Sequence, residues 1–139
     1  MIRKETVLIV DDMDINRAIL AELFSADYNI VEADSGKDAI TYLSGDGITP
    51  QAVLLDIIMP EIDGFDVLHF IKTNPKTEMI PVFFITAADS DVYETRGLKE
   101  GAVDFISKPF NPDVVKARLD KHIQLKKYQN QLERMVQEK

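Results

Sequence analysis

Residues 7–17 read VLIVDDMDINR, and this stretch places two adjacent carboxylates directly after four apolar residues. An apolar run bounded in this way is typical of a strand that is buried on both faces of a parallel sheet. Asp11 and Asp12 then stand at the carboxyl end of the strand, with Asp14 close behind. Two carboxylates about 4 Å apart repel by roughly 4 kcal/mol at an effective dielectric constant of about 20. The stretch therefore predicts a compensating cation nearby.

Length and charge limit the class of protein. The chain has 139 residues, of which 45% are hydrophobic, and this suits one compact domain with a substantial core. Residues 1–119 carry 21 acidic and 11 basic side chains, whereas residues 120–139 carry 3 acidic and 5 basic ones. An acidic domain repels the phosphates of nucleic acids, so we expect no direct nucleic-acid binding by residues 1–119. The change of sign predicts a different role for the C-terminal stretch.

No part of the sequence predicts export or membrane insertion. No apolar stretch approaches the roughly 20 residues that are needed to cross a bilayer. The first residues, MIRKETVLIVDD, hold too short an apolar run for a secretory signal. The chain has no cysteine, which excludes disulfides, thiolate metal ligands and a cysteine nucleophile. We expect a cytoplasmic protein without a membrane partner.

Apolar runs alternate with amphipathic stretches along the chain. The predicted strands are residues 6–10, 28–33, 52–56, 81–86 and 103–107. Strict alternation of strands and helices implies right-handed crossovers and a parallel sheet that is covered on both faces. We therefore predict an α/β fold of the flavodoxin-like, doubly wound type, with five parallel strands in the order 2-1-3-4-5.

The helices between the strands show apolar residues at helical spacing. Their predicted inward faces are Ile15, Ile19, Leu20, Leu23 and Phe24 in the first helix, Ala39, Ile40 and Leu43 in the second, Phe65, Leu68 and Ile71 in the third, and Val92 and Leu98 in the fourth. Residues of the N-cap type precede these faces. The predicted N-caps are Asp14, Ser35, Asp63 and Asp89.

The carboxyl ends of the predicted strands collect polar side chains at one rim, where open α/β sheets bind their ligands. These residues are Asp11, Asp12, Asp56, Thr86 and Lys108. Crowded carboxylates without cysteine favour a hard cation, Mg²⁺ or else Mn²⁺ or Ca²⁺. An aspartate beside such a metal is able to act as a nucleophile and form an aspartyl phosphate. Lys108 would then balance the phosphoryl charge, and the Thr86 hydroxyl would donate a hydrogen bond to it.

Four motifs in this order resemble those of a response-regulator receiver domain. They are DDMDINR after the first strand, DIIMPEIDGFDVL at 56–68, ITA at 85–87 and GAVDFISKPF at 101–110. The resemblance covers residues 5–123. It implies a two-component signalling switch that accepts a phosphoryl group from a sensor histidine kinase or phosphotransfer protein and relays a conformational change to an output domain or partner. Such a domain catalyses only its own phosphorylation and dephosphorylation.

The resemblance also implies which residues form the metal and phosphorylation site. Asp56 matches the phospho-acceptor of the family. Asp11 and Asp12 match the acidic pair that binds the metal, which in receivers is Mg²⁺. The main-chain carbonyl two residues past the acceptor, here that of Ile58, is a further metal ligand in the family.

The switch residues are implied in the same way. Thr86 matches the switch hydroxyl, Lys108 the phosphate-binding lysine, and Pro109 the proline that follows a cis peptide bond. Phe105 matches the aromatic switch position, whose ring would change rotamer on activation. Ala88 and Ile58 occupy positions that influence the approach of hydrolytic water in receivers. Neither side chain is able to hold a water molecule by a hydrogen bond, so we expect slow dephosphorylation, over minutes or longer.

Two other interpretations remain open from the residues. Asp12-Met13-Asp14 satisfies the D-x-D motif of a haloacid-dehalogenase-like phosphohydrolase, another Mg²⁺-dependent class with an aspartate nucleophile. Asn16 stands where that class usually has Thr or Val, and the sequence has no late GD-x-x-x-D motif and no cap insertion. The third interpretation is a degenerate receiver that serves only as a binding scaffold, against which the intact set of rim residues argues.

The last helical stretch divides into two parts with different apolar faces. Val115, Leu119 and Ile123 form a stripe that would pack on the sheet, whereas Leu125, Tyr128, Leu132 and Met135 recur at heptad spacing. We therefore expect a receiver domain at 1–123 and a helical extension at 124–139. The extension is predicted to form a parallel homodimer and to lead to an output domain. The alternative is a solvated tail, since two heptads fall short of the three or four that identify a coiled coil.

Overall fold

The computed structural model describes residues 4–87 and 91–137. Within these ranges, five strands alternate with five helices. The elements are β1 (Glu5–Val10), α1 (Asp14–Phe24), β2 (Tyr28–Ala33), α2 (Gly36–Ser44), β3 (Ala52–Asp56), α3 (Gly64–Thr73), β4 (Val82–Thr86), α4 (Asp91–Glu100), β5 (Asp104–Ser107) and α5 (Pro112–Gln137). No helix in the described ranges is both long enough and apolar enough to cross a membrane.

The sheet confirms the predicted flavodoxin-like fold. Its strands are all parallel and lie in the order β2-β1-β3-β4-β5. The order reverses between β1 and β3, which are neighbours in the sheet although β2 lies between them in sequence. Val10 pairs with Leu55, so the residues that follow them, Asp11 and Asp56, end at the same level of the rim. The reversal point is where ligands of such sheets bind.

Two apolar layers form because successive strand side chains point to opposite faces of the sheet. On one face, strand residues such as Leu8, Leu55 and Phe84 pack with residues of α2 and α3. On the other face, Ile9 and Leu54 pack with residues of α1 and of the first half of α5. Both layers end at the rim, so the side chains at the strand ends are held by packed strands rather than by a loose loop.

The predicted inward face of α1 is wrong at two positions. Leu20 and Phe24 are fully buried, but Ile15 and Ile19 are 64% and 46% exposed. Each helical residue advances by about 100°, so Ile15 stands about 180° around the helix from Phe24. The five apolar residues of α1 span too wide an arc to meet one surface, and the sheet covers the part centred on Leu20 and Phe24.

The predicted inward face of α4 is also wrong. Val92 and Leu98 are 80% and 54% exposed, and the buried residue of α4 is Gly97. A Cβ atom at Gly97 would lie 2.7 Å from Phe84 Cδ2 and 2.9 Å from Phe105 Cζ. The helix therefore approaches these rings through a residue without a side chain, and such a contact leaves no mark in a hydrophobic pattern.

Helix starts agree in part with the predicted N-caps. The side chains of Ser35 and Asp63 each accept a hydrogen bond from a backbone N–H of the first turn, as predicted. The prediction of Asp14 as the N-cap of α1 is wrong, because the N-cap is Met13 and Asp14 is the first helical residue. Asp89 lies outside the described residues.

Helix α5 is 26 residues long, which corresponds to about 39 Å. Its first half carries the buried residues Val115, Leu119 and Ile123, as the sequence predicted. The apolar residues of the second half remain exposed; they are Leu125, Tyr128, Leu132 and Met135. One helix thus serves as a core element in its first half and continues as an extension in its second half.

Candidate functional site

Three carboxylates meet at the point where the strand order reverses. Asp11 and Asp12 follow β1, and Asp56 is the last residue of β3. Each offers an oxygen atom, and these oxygens all lie within 4.8 Å of one another. Asp11 and Asp56 are buried, whereas Asp12 is exposed. The sequence prediction that these three residues converge is therefore confirmed by their geometry.

Asp11 has one oxygen with a partner and one without. Its Oδ1 accepts a hydrogen bond from the backbone N–H of Met13 at 2.9 Å. Its Oδ2 is buried and has no hydrogen-bond partner in the described part of the chain. A buried carboxylate oxygen without a partner is costly, by about 1–3 kcal/mol or more for a charged group. A donor set made only of carboxylate and carbonyl oxygens fits a hard divalent cation such as Mg²⁺.

The surroundings of Asp56 make its charge unfavourable in the metal-free protein. Burial, followed by the negative charge of Asp11, raises the pKa of Asp56 to about 7. The ammonium of Lys108 opposes this rise, and its Nζ lies 3.7 Å from Asp56 Oδ1. One ammonium at this distance does not offset burial and a neighbouring carboxylate. A second source of positive charge would be needed to keep all three carboxylates ionised.

Gly64 fixes the backbone that follows Asp56. Its N–H donates to the carbonyl of Ile57 at 2.7 Å. A Cβ atom at this position would lie 2.5 Å from the Asp56 carbonyl oxygen and 2.7 Å from Ile57 Cα. Only glycine allows α3 to start so close to the end of β3, and this close approach explains the glycine at position 64.

A cleft of about 270 Å³ opens above Asp56. Its lining includes the predicted site residues Asp12, Asp56, Ile58, Thr86 and Lys108. The Ile58 side chain is 67% exposed, so this residue adds no bulk to the buried carboxylate cluster. The cleft is polar where the strand ends reach it, and it is wide enough to admit a tetrahedral group next to Asp56.

The Thr86 hydroxyl is directed at a backbone carbonyl and not at Asp56. Thr86 is buried, and its Oγ1 donates to the carbonyl of Ala87 at 3.2 Å. The hydroxyl would have to leave this partner to reach a group attached to Asp56. Residues 88–90 follow directly and lie outside the described ranges, and they include Ala88, for which an effect on hydrolysis was predicted.

The other two predicted switch residues occupy defined positions. The Phe105 ring is buried, and its centroid lies 5.9 Å from that of Phe84. Its backbone carbonyl accepts a hydrogen bond from Arg118. The peptide bond between Lys108 and Pro109 is cis, as the resemblance implied. Phe105 thus packs inward against the sheet and α4.

Arg17 is a site residue that the sequence analysis missed. Its Nη1 donates to the Asp11 carbonyl at 2.7 Å, its Nε donates to Glu32 Oε1 at 3.2 Å, and its Nη2 pairs with Asp14. The side chain is only 13% exposed. It ties the start of α1 and strand β2 to the loop that carries the acidic pair. The i,i+3 spacing of Asp14 and Arg17 within DDMDINR was the available indication.

Comparison with known proteins identifies the family. A sequence model described as the response regulator receiver domain matches residues 7–120. The chain belongs to this family. As a receiver, it is a phosphorylation-dependent signalling switch of the two-component class, and histidine kinases or phosphotransfer proteins are the partners of such domains. The match favours the receiver over the phosphohydrolase that the D-x-D motif had left open.

Individual relatives show how the receiver is used in other proteins. A "Probable cyclic di-GMP phosphodiesterase" of Vibrio cholerae is 42% identical over 122 residues, which are 88% of this chain and 27% of the relative. The "Two-component response regulator ORR3" of Oryza sativa is 37% identical over 110 residues, or 78% of this chain and 83% of the relative. The receiver thus spans about a quarter of the first protein and most of the second.

A solved structure supports the same assignment. The signal receiver domain of a signal transduction histidine kinase from Syntrophus aciditrophicus is 27% identical and has a TM-score of 0.77. The superposition covers 86% of this chain and 90% of that domain. The shared architecture is the five-stranded sheet with its helices on both faces.

Proposed function

We propose that Asp56 accepts a phosphoryl group from a sensor histidine kinase or a phosphotransfer protein. The observation that carries this proposal is the convergence of Asp11, Asp12 and Asp56 within 4.8 Å, with Lys108 Nζ 3.7 Å from Asp56 Oδ1. Asp12, Asp56 and the main-chain carbonyl of Ile58 would hold Mg²⁺, and Asp11 would act mainly through water. The partnerless Oδ2 of Asp11 supports a cation at this place.

The transfer forms a bond between an Asp56 carboxylate oxygen and phosphorus while the bond from phosphorus to the donor nitrogen breaks. Asp56 attacks as a carboxylate, so its proton must leave before the reaction. When bound, Mg²⁺ supplies positive charge to the phosphoryl oxygens. Lys108 would contribute a further positive charge without a large movement, since its Nζ already lies 3.7 Å from Asp56 Oδ1.

The phosphoryl group would then act on the segment after β4. Hydrogen bonds from Thr86 and Lys108 to a charged group supply about 1.5–3 kcal/mol each. Inverting an equilibrium from 1:99 to 99:1 needs about 5.5 kcal/mol, and two such contacts together supply about 3–6 kcal/mol, which reaches this value near the upper limit. Thr86 has to give up its bond to Ala87, which pulls on the chain that enters α4. Phe105 lies against α4 at Gly97 and would respond to that movement.

The receiver would occupy residues 1–123, and residues 124–139 would be a helical extension that leads to an output domain. The exposed stripe of the extension, which includes Leu125 and Leu132, would meet its copy in a parallel homodimer. The relative from Vibrio cholerae makes an output that acts on cyclic di-GMP one candidate. The domain itself would turn over no external substrate, bind no nucleic acid and work in the cytoplasm.

Phosphorylation by acetyl phosphate tests the central proposal. We expect Mg²⁺-dependent incorporation of one phosphoryl group into the wild type and none into Asp56→Asn. Asp46→Asn, which changes an exposed loop carboxylate, is the matched control and should behave like the wild type. Incorporation by Asp56→Asn at the wild-type level would show that another residue is the acceptor. Sustained turnover of p-nitrophenyl phosphate would instead support a phosphohydrolase.

A further inference from the structure

A second cleft lies at the amino ends of the strands, opposite the rim that carries Asp56. It has a volume of about 280 Å³ and opens where β4 and β5 begin, between the end of α3 and the second half of α5. We propose that this cleft binds a small organic acid, whose carboxylate lies between Lys72 and Lys126 and whose apolar body lies against Met79, Val103 and Leu125. The site shares no residue with the phosphorylation site.

The two lysines of the cleft have no acidic partner among the residues that the structure describes. Lys72 Nζ donates to the carbonyls of Glu78 and Ile80, both at 3.1 Å, which leaves one N–H unused. Within the described ranges, no carboxylate lies within 4.0 Å of the ammonium of Lys72 or of Lys126. By contrast, Lys108 and Lys116 each have such a partner.

The charge of the cleft selects the ligand. Lys72 and Lys126 contribute two positive charges, and Glu78, which also lines the cleft, contributes one negative charge. A single carboxylate would make the sum zero. Burial, and after it the nearby Lys126, lowers the pKa of Lys72, whereas the carboxylate of Glu78 opposes this fall.

The walls of the cleft favour an apolar body on the acid. Met79, Val103 and Leu125 are 59%, 36% and 49% exposed, although all three are apolar and line one cleft. Covering them would remove apolar surface from water. The volume is just below the roughly 300–1,000 Å³ of typical ligand pockets, so the ligand is small. An acid of the size of benzoate satisfies both the charge and the volume.

A ligand in this cleft would join the domain to its helical extension. Lys72, Met79 and Val103 belong to the receiver, whereas Leu125 and Lys126 belong to the second half of α5. The ligand would hold the first turns of the extension against the receiver. Amide exchange in residues 124–130 would then slow down in the bound state.

Titration of the full chain with sodium benzoate tests the site. Amide shifts would be followed by ¹⁵N–¹H correlation spectra at constant ionic strength in metal-free buffer. Acetate has the carboxylate of benzoate without its aromatic ring. Benzyl alcohol has the aromatic ring without the carboxylate. We expect saturable shifts at Lys72, Val103 and Lys126, and binding of both partial probes that is at least about tenfold weaker, or about 1.4 kcal/mol.

Matched variants separate this site from general charge effects. Lys126→Gln should weaken benzoate binding by about tenfold, a loss at the lower limit for a hydrogen bond to a charged group. Lys121→Gln removes the same charge from an exposed position on the same helix and should change binding by less than about twofold. Lys72→Met is a second variant, because it removes a different ammonium of the cleft.

Four results would overturn the proposal. They are shifts that do not saturate, shifts confined to the rim around Asp56, equal binding by Lys126→Gln and the wild type, and equal losses in Lys126→Gln and Lys121→Gln. If Lys72→Met does not fold, Lys126→Gln alone decides, since its ammonium makes no ion pair within the described ranges and its removal leaves the domain intact.

Discussion

The rim around Asp56 and the second half of α5 both present groups without partners, but the two regions differ in kind. At the rim, buried carboxylates lie together and one Asp11 oxygen has no hydrogen bond in the described structure. In the extension, apolar side chains such as Leu125 and Leu132 are about half exposed to solvent. A buried unpaired charge is costly and demands a specific ligand, whereas exposed apolar residues are common on protein surfaces. The rim therefore constrains function much more tightly than the extension does.

The largest expected effect tests the cost of charge at the rim. Without metal, Asp56 has a pKa of about 7 in the folded protein against an ordinary value of 3.8. Between these values the folded state holds a proton that the unfolded chain has lost, so stability is fully present below about pH 4 and falls as pH rises to about 7. At about 1.4 kcal/mol per pKa unit, the upper limit of this loss is about 4 kcal/mol.

Asp56→Asn removes the charge and keeps the shape, so it should be more stable than the wild type at pH 8 and similar to it at pH 4. Urea unfolding in EDTA across this pH range measures the difference. Asp46→Asn should follow the wild type throughout. Parallel pH profiles for Asp56→Asn and the wild type would show that the rim tolerates its charge without help, and the contrast with the extension would disappear.

Adding Mg²⁺ tests whether a cation relieves the repulsion between the carboxylates of the rim. A ligand that binds only the folded state raises the free energy of unfolding by about 2.7 kcal/mol at one hundred times its dissociation constant. We expect Mg²⁺ to stabilise the wild type in this way and EDTA to reverse the effect. Asp12→Asn should lose most of the response, because Asp12 faces the cleft. An unchanged response in Asp12→Asn would exclude it as a ligand.

A smaller effect is expected from the support of the acidic pair. Arg17→Met removes the hydrogen bond to the Asp11 carbonyl and the contacts to Asp14 and Glu32, at a cost of about 1–3 kcal/mol. It should also weaken Mg²⁺ binding, because the loop that carries the acidic pair loses its anchor. Thermal unfolding with and without Mg²⁺ measures both effects.

Lys116→Met is the matched control for Arg17. Lys116 pairs with Asp27 at 2.9 Å, and both side chains are about half exposed. Exposed pairs contribute about 0–1 kcal/mol, so this variant should remain near the wild type and bind Mg²⁺ normally. If Arg17→Met destabilises the protein but leaves the Mg²⁺ response unchanged, Arg17 supports the fold and not the metal site.

The difference between the two regions also explains what the sequence was able to predict. Buried parallel strands are continuous apolar runs, and β3, which is buried throughout, was predicted with its observed bounds. Their ends collect at one rim, so the polar residues that follow them, including Asp56 and Lys108, were predicted to meet. Both inferences depend on strong local patterns that the fold has to satisfy.

Other features depend on contacts that no local pattern records. Ile15 and Ile19 have the spacing of a helix face, but the sheet covers a neighbouring arc of α1. Gly97 is the buried residue of α4 and has no side chain to mark it. The orientation of the Thr86 hydroxyl follows from a bond to the next residue, which residue type does not reveal.

The smallest expected effect on stability concerns the extension. A version of the chain that ends at Ile123 keeps Val115, Leu119 and Ile123 in the core. Among the described residues, it loses exposed side chains, the part-buried Lys126 and the pair between Lys127 and Glu5. We expect its free energy of unfolding to lie within about 1 kcal/mol of the full chain, as for an exposed pair. Urea unfolding of both versions as dilute monomers measures the difference. A loss of several kcal/mol would show that the second half of α5 belongs to the domain.

Removing the extension should weaken dimer formation, although it should change the free energy of unfolding of the monomer very little. A short isolated helix is marginal in water, so the exposed stripe needs a second copy to become ordered. Sedimentation equilibrium should show a dimer of the full chain that strengthens with Mg²⁺ and beryllofluoride, and a weaker or absent dimer of the version that ends at Ile123. Leu132→Ser should resemble the shortened version, whereas Glu133→Gln, one residue further along the same helix, should resemble the full chain. Equal monomer fractions in all four proteins would mean that the extension is a solvated tail, and that its apolar residues are tolerated because their exposure costs little.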